Sequence, residues 1–130
     1  MKRSAINPWA WPVQLGFDQA LLIEGAHRQL VCSGQDAVDA DGNAQHPGDM
    51  AAQLELSLDN LEGLLAGADM TLADVIRLNV YTTDVDDLFA HWSRIPERFG
   101  ADQRFVTSVL GVTRLAAPEL LVLLEATAVD

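Results

Sequence analysis

Few side chains in this 130-residue sequence stand where chemistry would need them, and each has a plainer structural reading. Glu125 is the only charge in the apolar run that closes the chain. A carboxylate desolvated by such neighbours holds its proton more tightly than in water and suits general acid or base work. The plainer reading is an ion pair with Arg77 or Arg114, or an exposed strand end. Ser33-Gly34-Gln35 ends an apolar segment at a glycine, which lets a ligand approach the main chain closely. No G-x-S-x-G elbow surrounds Ser33, so a nucleophilic serine is not expected. Cys32 precedes it with no basic residue nearer than Arg28 to stabilise a thiolate, and a buried, inert thiol is expected.

Metal chemistry finds little support. His27, His46 and His91 are widely separated and form no HxH or HExxH pattern. Asp39, Asp41 and Gly42 hint at a calcium loop, but the first ligand position would fall on Ala37 and the twelfth on Gly48. A solvated turn is the better reading. Asp84, Asp86 and Asp87 read as a helix-capping cluster, since a hard cation needs more converging oxygens.

The elements that must position these residues follow from periodicity. Residues 1–15, with Pro8, Trp9, Trp11 and Pro12, read as an irregular arm that packs through its indoles, ahead of a single domain over 16–130. Phe17 to Glu24 and Gln29 to Ser33 are expected as strands flanking a turn at Gly25 to Arg28. Asp49 caps a helix to Ala66, in which Met50, Leu54, Leu58, Leu61 and Leu65 form one apolar stripe. Gln53, Glu55, Asp59 and Glu62 lie largely off it. Thr71 to Asp74 reads as one turn. Val75 to Thr83 alternates as a strand, with Ile76, Leu78 and Val80 on one face and Arg77, Asn79 and Tyr81 on the other. A second helix is expected over Leu88 to Phe99, distorted at Pro96. Phe105 to Val112 and Glu119 to Val129 read as closing strands. Leu120 to Leu124 does not alternate, which predicts a strand covered on both faces, one by its own helices and the other by a partner subunit. The pattern is that of an α+β domain, two layers deep, with two helices on one face of a mixed sheet.

Eight basic residues against 19 acidic ones give a net charge of −11. Such a surface repels phosphate backbones, and no local basic patch relieves it, so nucleic-acid and anionic-membrane partners are not expected. The single cysteine excludes an intrachain disulfide framework. No apolar run reaches the roughly 20 residues of a membrane span, and Asn7, Pro8 and Pro12 interrupt any signal-peptide core. A cytoplasmic location is the expectation.

Three blocks together resemble the RidA (reactive intermediate deaminase, YjgF-like) family: Val31-Cys32-Ser33-Gly34-Gln35; Ala51-Ala52-Gln53 with Leu58-Asp59-Asn60-Leu61; and Val112-Thr113-Arg114-Leu115 leading to Glu125-Ala126-Thr127-Ala128-Val129. The resemblance runs from about residue 14 to the end. It implies a chorismate-mutase-like fold and a homotrimer with three small-molecule clefts between subunits. It also implies hydrolysis of enamines or imines to a ketoacid and ammonia without a cofactor. In that family an arginine grips the substrate carboxylate and a glutamate positions water.

Carried over position by position, the resemblance retains Ser33 and Gly34 in the cleft. Phe17 stands where a tyrosine is common. The arginine position falls on Thr107, the cysteine on Val109, the asparagine on Trp92 and the water-associated glutamate on Leu123. Glu125 matches a second acidic residue. A charge-assisted hydrogen bond contributes roughly 1.5–3 kcal/mol, so Thr107 alone would weaken carboxylate binding about ten- to a hundredfold. Arg114, at odd spacing from Thr107, points to the other face. Arg77 of a neighbouring chain is the remaining replacement. Two functions are carried forward: a divergent deaminase or tautomerase for a less acidic, more apolar enamine or imine, and a non-catalytic trimer that binds a small apolar metabolite. A nuclease role conflicts with the charge.

Overall fold

The leucine stripe decides where the core lies. In the computed structural model, which describes all 130 residues, it forms α2 (Met50–Gly67). Asp49 caps this helix by accepting the Ala52 N–H at 3.0 Å. Met50, Leu54, Leu58, Leu61 and Leu65 are all buried. They pack on a mixed sheet ordered β3 (Gln29–Val31), β7 (Val122–Val129), β5 (Val75–Thr82), β6 (Val109–Gly111), with β4 (Gln35–Asp36) also paired to β7. β7 runs antiparallel to β3, β4 and β5, while β5 and β6 are parallel. The molecule is α+β, as expected.

Within β7 the side chains do alternate. Val122, Leu124, Ala126 and Ala128 are buried on the α2 side, and Leu123, Glu125 and Thr127 are half-buried on the other. The unbroken apolar run misled because Leu120 and Leu121 precede the strand. The second face of the sheet is therefore mixed rather than wholly apolar. Tyr81, Asn79 and Arg77 of β5 stand directly across from Leu123, Glu125 and Thr127. β5 also departs from simple alternation. Its register shifts between Val75 and Arg77, so that Val75, Leu78, Val80 and Thr82 are buried and Ile76 is not in their row.

The arm is not a coil. Lys2–Ile6 forms β1, antiparallel to β2 (Ala20–Glu24), in a separate two-stranded sheet. Strand β2 starts three residues later than expected, and it pairs with β1 instead of β3 across the Gly25 turn. Between β1 and β2, Trp11–Gln14 makes a single helical turn, α1. Pro12 sits in its first turn, where no N–H is needed. Gly16, at φ 91°, lets the chain leave it against Pro96; a Cβ there would stand 2.6 Å from Pro96 Cβ. Arg3 donates to the carbonyls of Ala73 and Val75. Buried Asp18 accepts from Asn7 Nδ2 at 2.7 Å and Arg104 Nε at 2.8 Å. These contacts fix the hairpin to the domain.

The second helix is two short ones, α3 (Val85–Ala90) and α4 (Arg94–Phe99). Pro96 would clash with the Trp92 carbonyl and lacks the N–H that a continuous helix would bond to it. The chain restarts instead at Arg94, which places Pro96 in a first turn. The break leaves Trp92 between the helices, facing α1.

Candidate functional site

Phe17, Trp92, Thr107 and Val109, all read from the sequence as cleft residues, line one cavity of about 410 Å³. Trp11, Leu15 and Phe89 complete its wall. The positions follow from the fold. Val109 pairs with Val80, on the helix side of the sheet's β6 edge. Phe89 comes from α3 and Trp92 from the break that Pro96 enforces. Trp11 lies edge-on to Phe17, with ring centroids 5.8 Å apart at 80°. The Trp92 indole N–H donates to the Leu15 carbonyl at 2.9 Å and ties α1 down. The Thr107 hydroxyl donates to the Leu78 carbonyl. Trp11 and Leu15 escaped the sequence reading because the arm passed for coil, and Phe89 because it lay in an expected helix with nothing to aim it at the cleft. The signal was present: Pro12 one residue into a short apolar segment that ends at Gly16.

Ser33, Gly34 and Leu123 lie elsewhere. Gly34 sits at the β3–β4 bend, where a Cβ would stand only 2.5–2.8 Å from the Leu123 side chain. Leu123 thus fills the space that the glycine leaves open. It belongs to the face of the sheet opposite Val109, and β6 and β3 are separated by β7 and β5. At about 4.8 Å per strand, the β3–β4 bend stands roughly 14 Å from β6 across the sheet, and Leu123 on β7 roughly 10 Å. One chain does not bring them together.

Glu125 makes neither expected ion pair. It accepts from Tyr81 Oη at 3.1 Å and Asn79 Nδ2 at 3.4 Å, while Arg77 and Arg114 are exposed and engage no carboxylate. The Tyr81 hydroxyl, donating to that carboxylate, is held above its usual ionisation range. Cys32 is buried and unpaired, and burial raises its pKa, as suits an inert thiol. Asp84 caps α3 by accepting the Asp87 N–H at 3.0 Å. Asp39 closes a turn by accepting the N–H groups of Asp41 and Asn43. His91, just past the end of α3, faces Asp87. No three His, Cys, Asp or Glu side chains converge on a point that could hold a metal ion. No helix is long and apolar enough to cross a membrane.

Comparison with known proteins bears on what such a site does. The family model described as "Endoribonuclease L-PSP" matches residues 14–130. Among solved structures, the YyfB protein of the conserved Rid family from Yersinia pestis, described as of unknown function, superposes with a TM-score of 0.87. It is 38% identical over 100% of both chains. Protein DfrA of Myxococcus xanthus is 30% identical over 101 residues, covering 77% of this chain and 73% of that protein. The 2-iminobutanoate/2-iminopropanoate deaminase of Escherichia coli K12 is 29% identical over 84 residues. That match covers 65% of this chain and only 56% of the deaminase.

Proposed function

Because the chain belongs to the endoribonuclease L-PSP family, which includes the YjgF and Rid proteins, we propose that it is a divergent Rid-type protein for a small, weakly acidic enamine or imine. In the reaction, water adds to the C=N carbon, the carbon–nitrogen bond breaks, and nitrogen leaves as ammonia with a carbonyl left behind. An enamine first takes a proton on carbon to become the imine. None of these steps calls for a cofactor. The observation that carries the reading is the cavity itself, which is lined almost wholly by apolar side chains, with Thr107 where the family places a carboxylate-gripping arginine. A substrate carboxylate would be desolvated there without a cation to meet it.

The site is proposed to be shared between subunits. Phe17, Trp92, Thr107 and Val109 form one wall, and Ser33, Gly34 and Leu123 of a neighbouring copy form the other. This arrangement accounts for their lying on opposite faces within one chain. A homotrimer closes such a head-to-tail contact with every site complete. RNA cleavage is not proposed: the net charge is −11, and Arg28, Arg94, Arg98 and Arg104 are each engaged by a carboxylate.

A specific observation favours a second reading, a non-catalytic binding protein. Leu123 packs on Gly34 at the position where the family has its water-positioning glutamate, and a leucine activates no water. One experiment separates the two. Ammonia release is measured from a panel of freshly generated enamines, beside ligand-induced thermal shifts. The proposal expects turnover of apolar, non-acidic imines and little of 2-imino acids, with Thr107→Arg plus Leu123→Glu raising activity on the acids. Thermal shifts without ammonia from any imine would select the binder.

A further inference from the structure

The hydrogen bonds around the cavity say more about its ligand than its apolarity does. Thr107 supplies the hydroxyl of the wall, and its proton is committed to the Leu78 carbonyl. What it can offer a ligand is therefore an acceptor lone pair. The Trp92 N–H is likewise spent on the Leu15 carbonyl. The faces of Trp11, Phe17, Phe89 and Trp92 carry the negative side of the aromatic quadrupole, which attracts cations. The chain's −11 charge adds to that preference at long range. A volume of about 410 Å³ holds a single ring with a short side chain.

We propose that this cavity takes a non-acidic aryl ligand bearing an N–H donor, an arylalkylamine or the protonated imine derived from one, with the nitrogen donating to Thr107 Oγ1 and the ring held against Trp11 and Phe17. This rests on the reading of the cavity as the ligand site and names its ligand class. Thr107, on this view, is a specificity-determining residue that replaces recognition of a carboxylate by recognition of a donor.

The test uses three molecules that share a phenylethyl group: phenethylamine, 2-phenylethanol and 3-phenylpropionate. Binding to the full chain is followed by tryptophan fluorescence and by thermal shift. The amine is expected to bind about tenfold more tightly than the acid, with the alcohol between. Thr107→Val, which keeps the shape, lowers amine affinity about threefold to tenfold, while Thr107→Ser, which keeps the acceptor, restores it. Equal or tighter binding of the acid overturns the proposal, as does an amine preference unmoved by Thr107→Val. None of these molecules can be hydrolysed. Loss of the amine preference with ammonia release intact therefore sinks only the ligand class, and the preference without ammonia release sinks only the hydrolytic reading.

Discussion

Tyr81 is the only tyrosine in the chain, and its hydroxyl lies 3.1 Å from Glu125 Oε1. The hydrogen bond to the carboxylate, more than burial, holds the phenolic proton above its ordinary value of 10.0. An alkaline spectrophotometric titration reads this one contact directly, because tryptophan does not ionise in that range. The midpoint is expected above 10 and falls in Glu125→Ala; a wild-type midpoint at the ordinary value would mean that the pair does not form in solution. The sign for stability follows. The folded state binds this proton more tightly than the unfolded one, so stability falls as pH rises between the unfolded and folded values. Nothing in the sequence marked this pair, whose partners lie 44 residues apart. Gln53 teaches the same lesson. Its spacing puts it beside the leucine stripe, yet it is fully buried. Its amide donates to the carbonyls of His46 and Glu119 and accepts the Leu121 N–H. Helical periodicity reports which face is apolar, and a polar side chain buried for distant main-chain partners is invisible to it.

Between elements, the clearest polar contact joins α4 to α2. Arg98 reaches Glu55 at 2.6 Å, Asp59 at 2.8 Å and Glu62 at 2.9 Å, and Arg94 adds a second bond to Glu55 at 3.2 Å. The hydrogen bond from Arg98 lowers the pKa of Glu55 below 4.5. A depressed carboxylate contributes stability above its unfolded pKa and loses it as pH falls through the folded one. Each of these acids is well exposed, so solvent screening keeps each pair below about 1 kcal/mol. Arg98→Ala is expected to cost about 1–2 kcal/mol near neutral pH, from the network and the buried stem together. Denaturant melts should show the difference shrinking at acid pH; a difference independent of pH would assign the loss to packing alone. Elements with strong periodicity, α2 and β5, were legible in sequence, while β7 was legible as a strand from its apolar run but not in its alternation. The elements governed by proline were legible only in part: a distortion at Pro96 was expected, a helix at Pro12 was not. Pro12 opens α1 and Pro96 forces the α3–α4 break, yet in sequence both look like interruptions of structure. The unread α1 hid Trp11 and Leu15 of the cavity wall, whereas Trp92 was placed in the cleft by the family resemblance.

At the scale of the whole molecule, one face of the sheet has no cover from its own chain. Val31 is 72% exposed and Leu110 44% exposed, and between them the strands present Leu123, Tyr81 and Thr127. A monomer would leave these apolar groups in water while the cavity wall and the Gly34–Leu123 wall stayed apart. The proposed trimer answers both at once, and mass measurement in native conditions should give three times the 14.1 kDa of the chain. Thr127→Arg sharpens the test. Thr127 stands directly across from Arg77, so the substitution sets like charges side by side on the open face, away from the α2 core. If that face is an interface, the variant becomes monomeric, keeps a cooperative melt and loses ligand-induced thermal shifts, because each site needs two subunits. If the wild type is already a monomer, or if the variant separates into monomers that still bind ligand as well as before, the shared cleft is wrong and the cavity works alone.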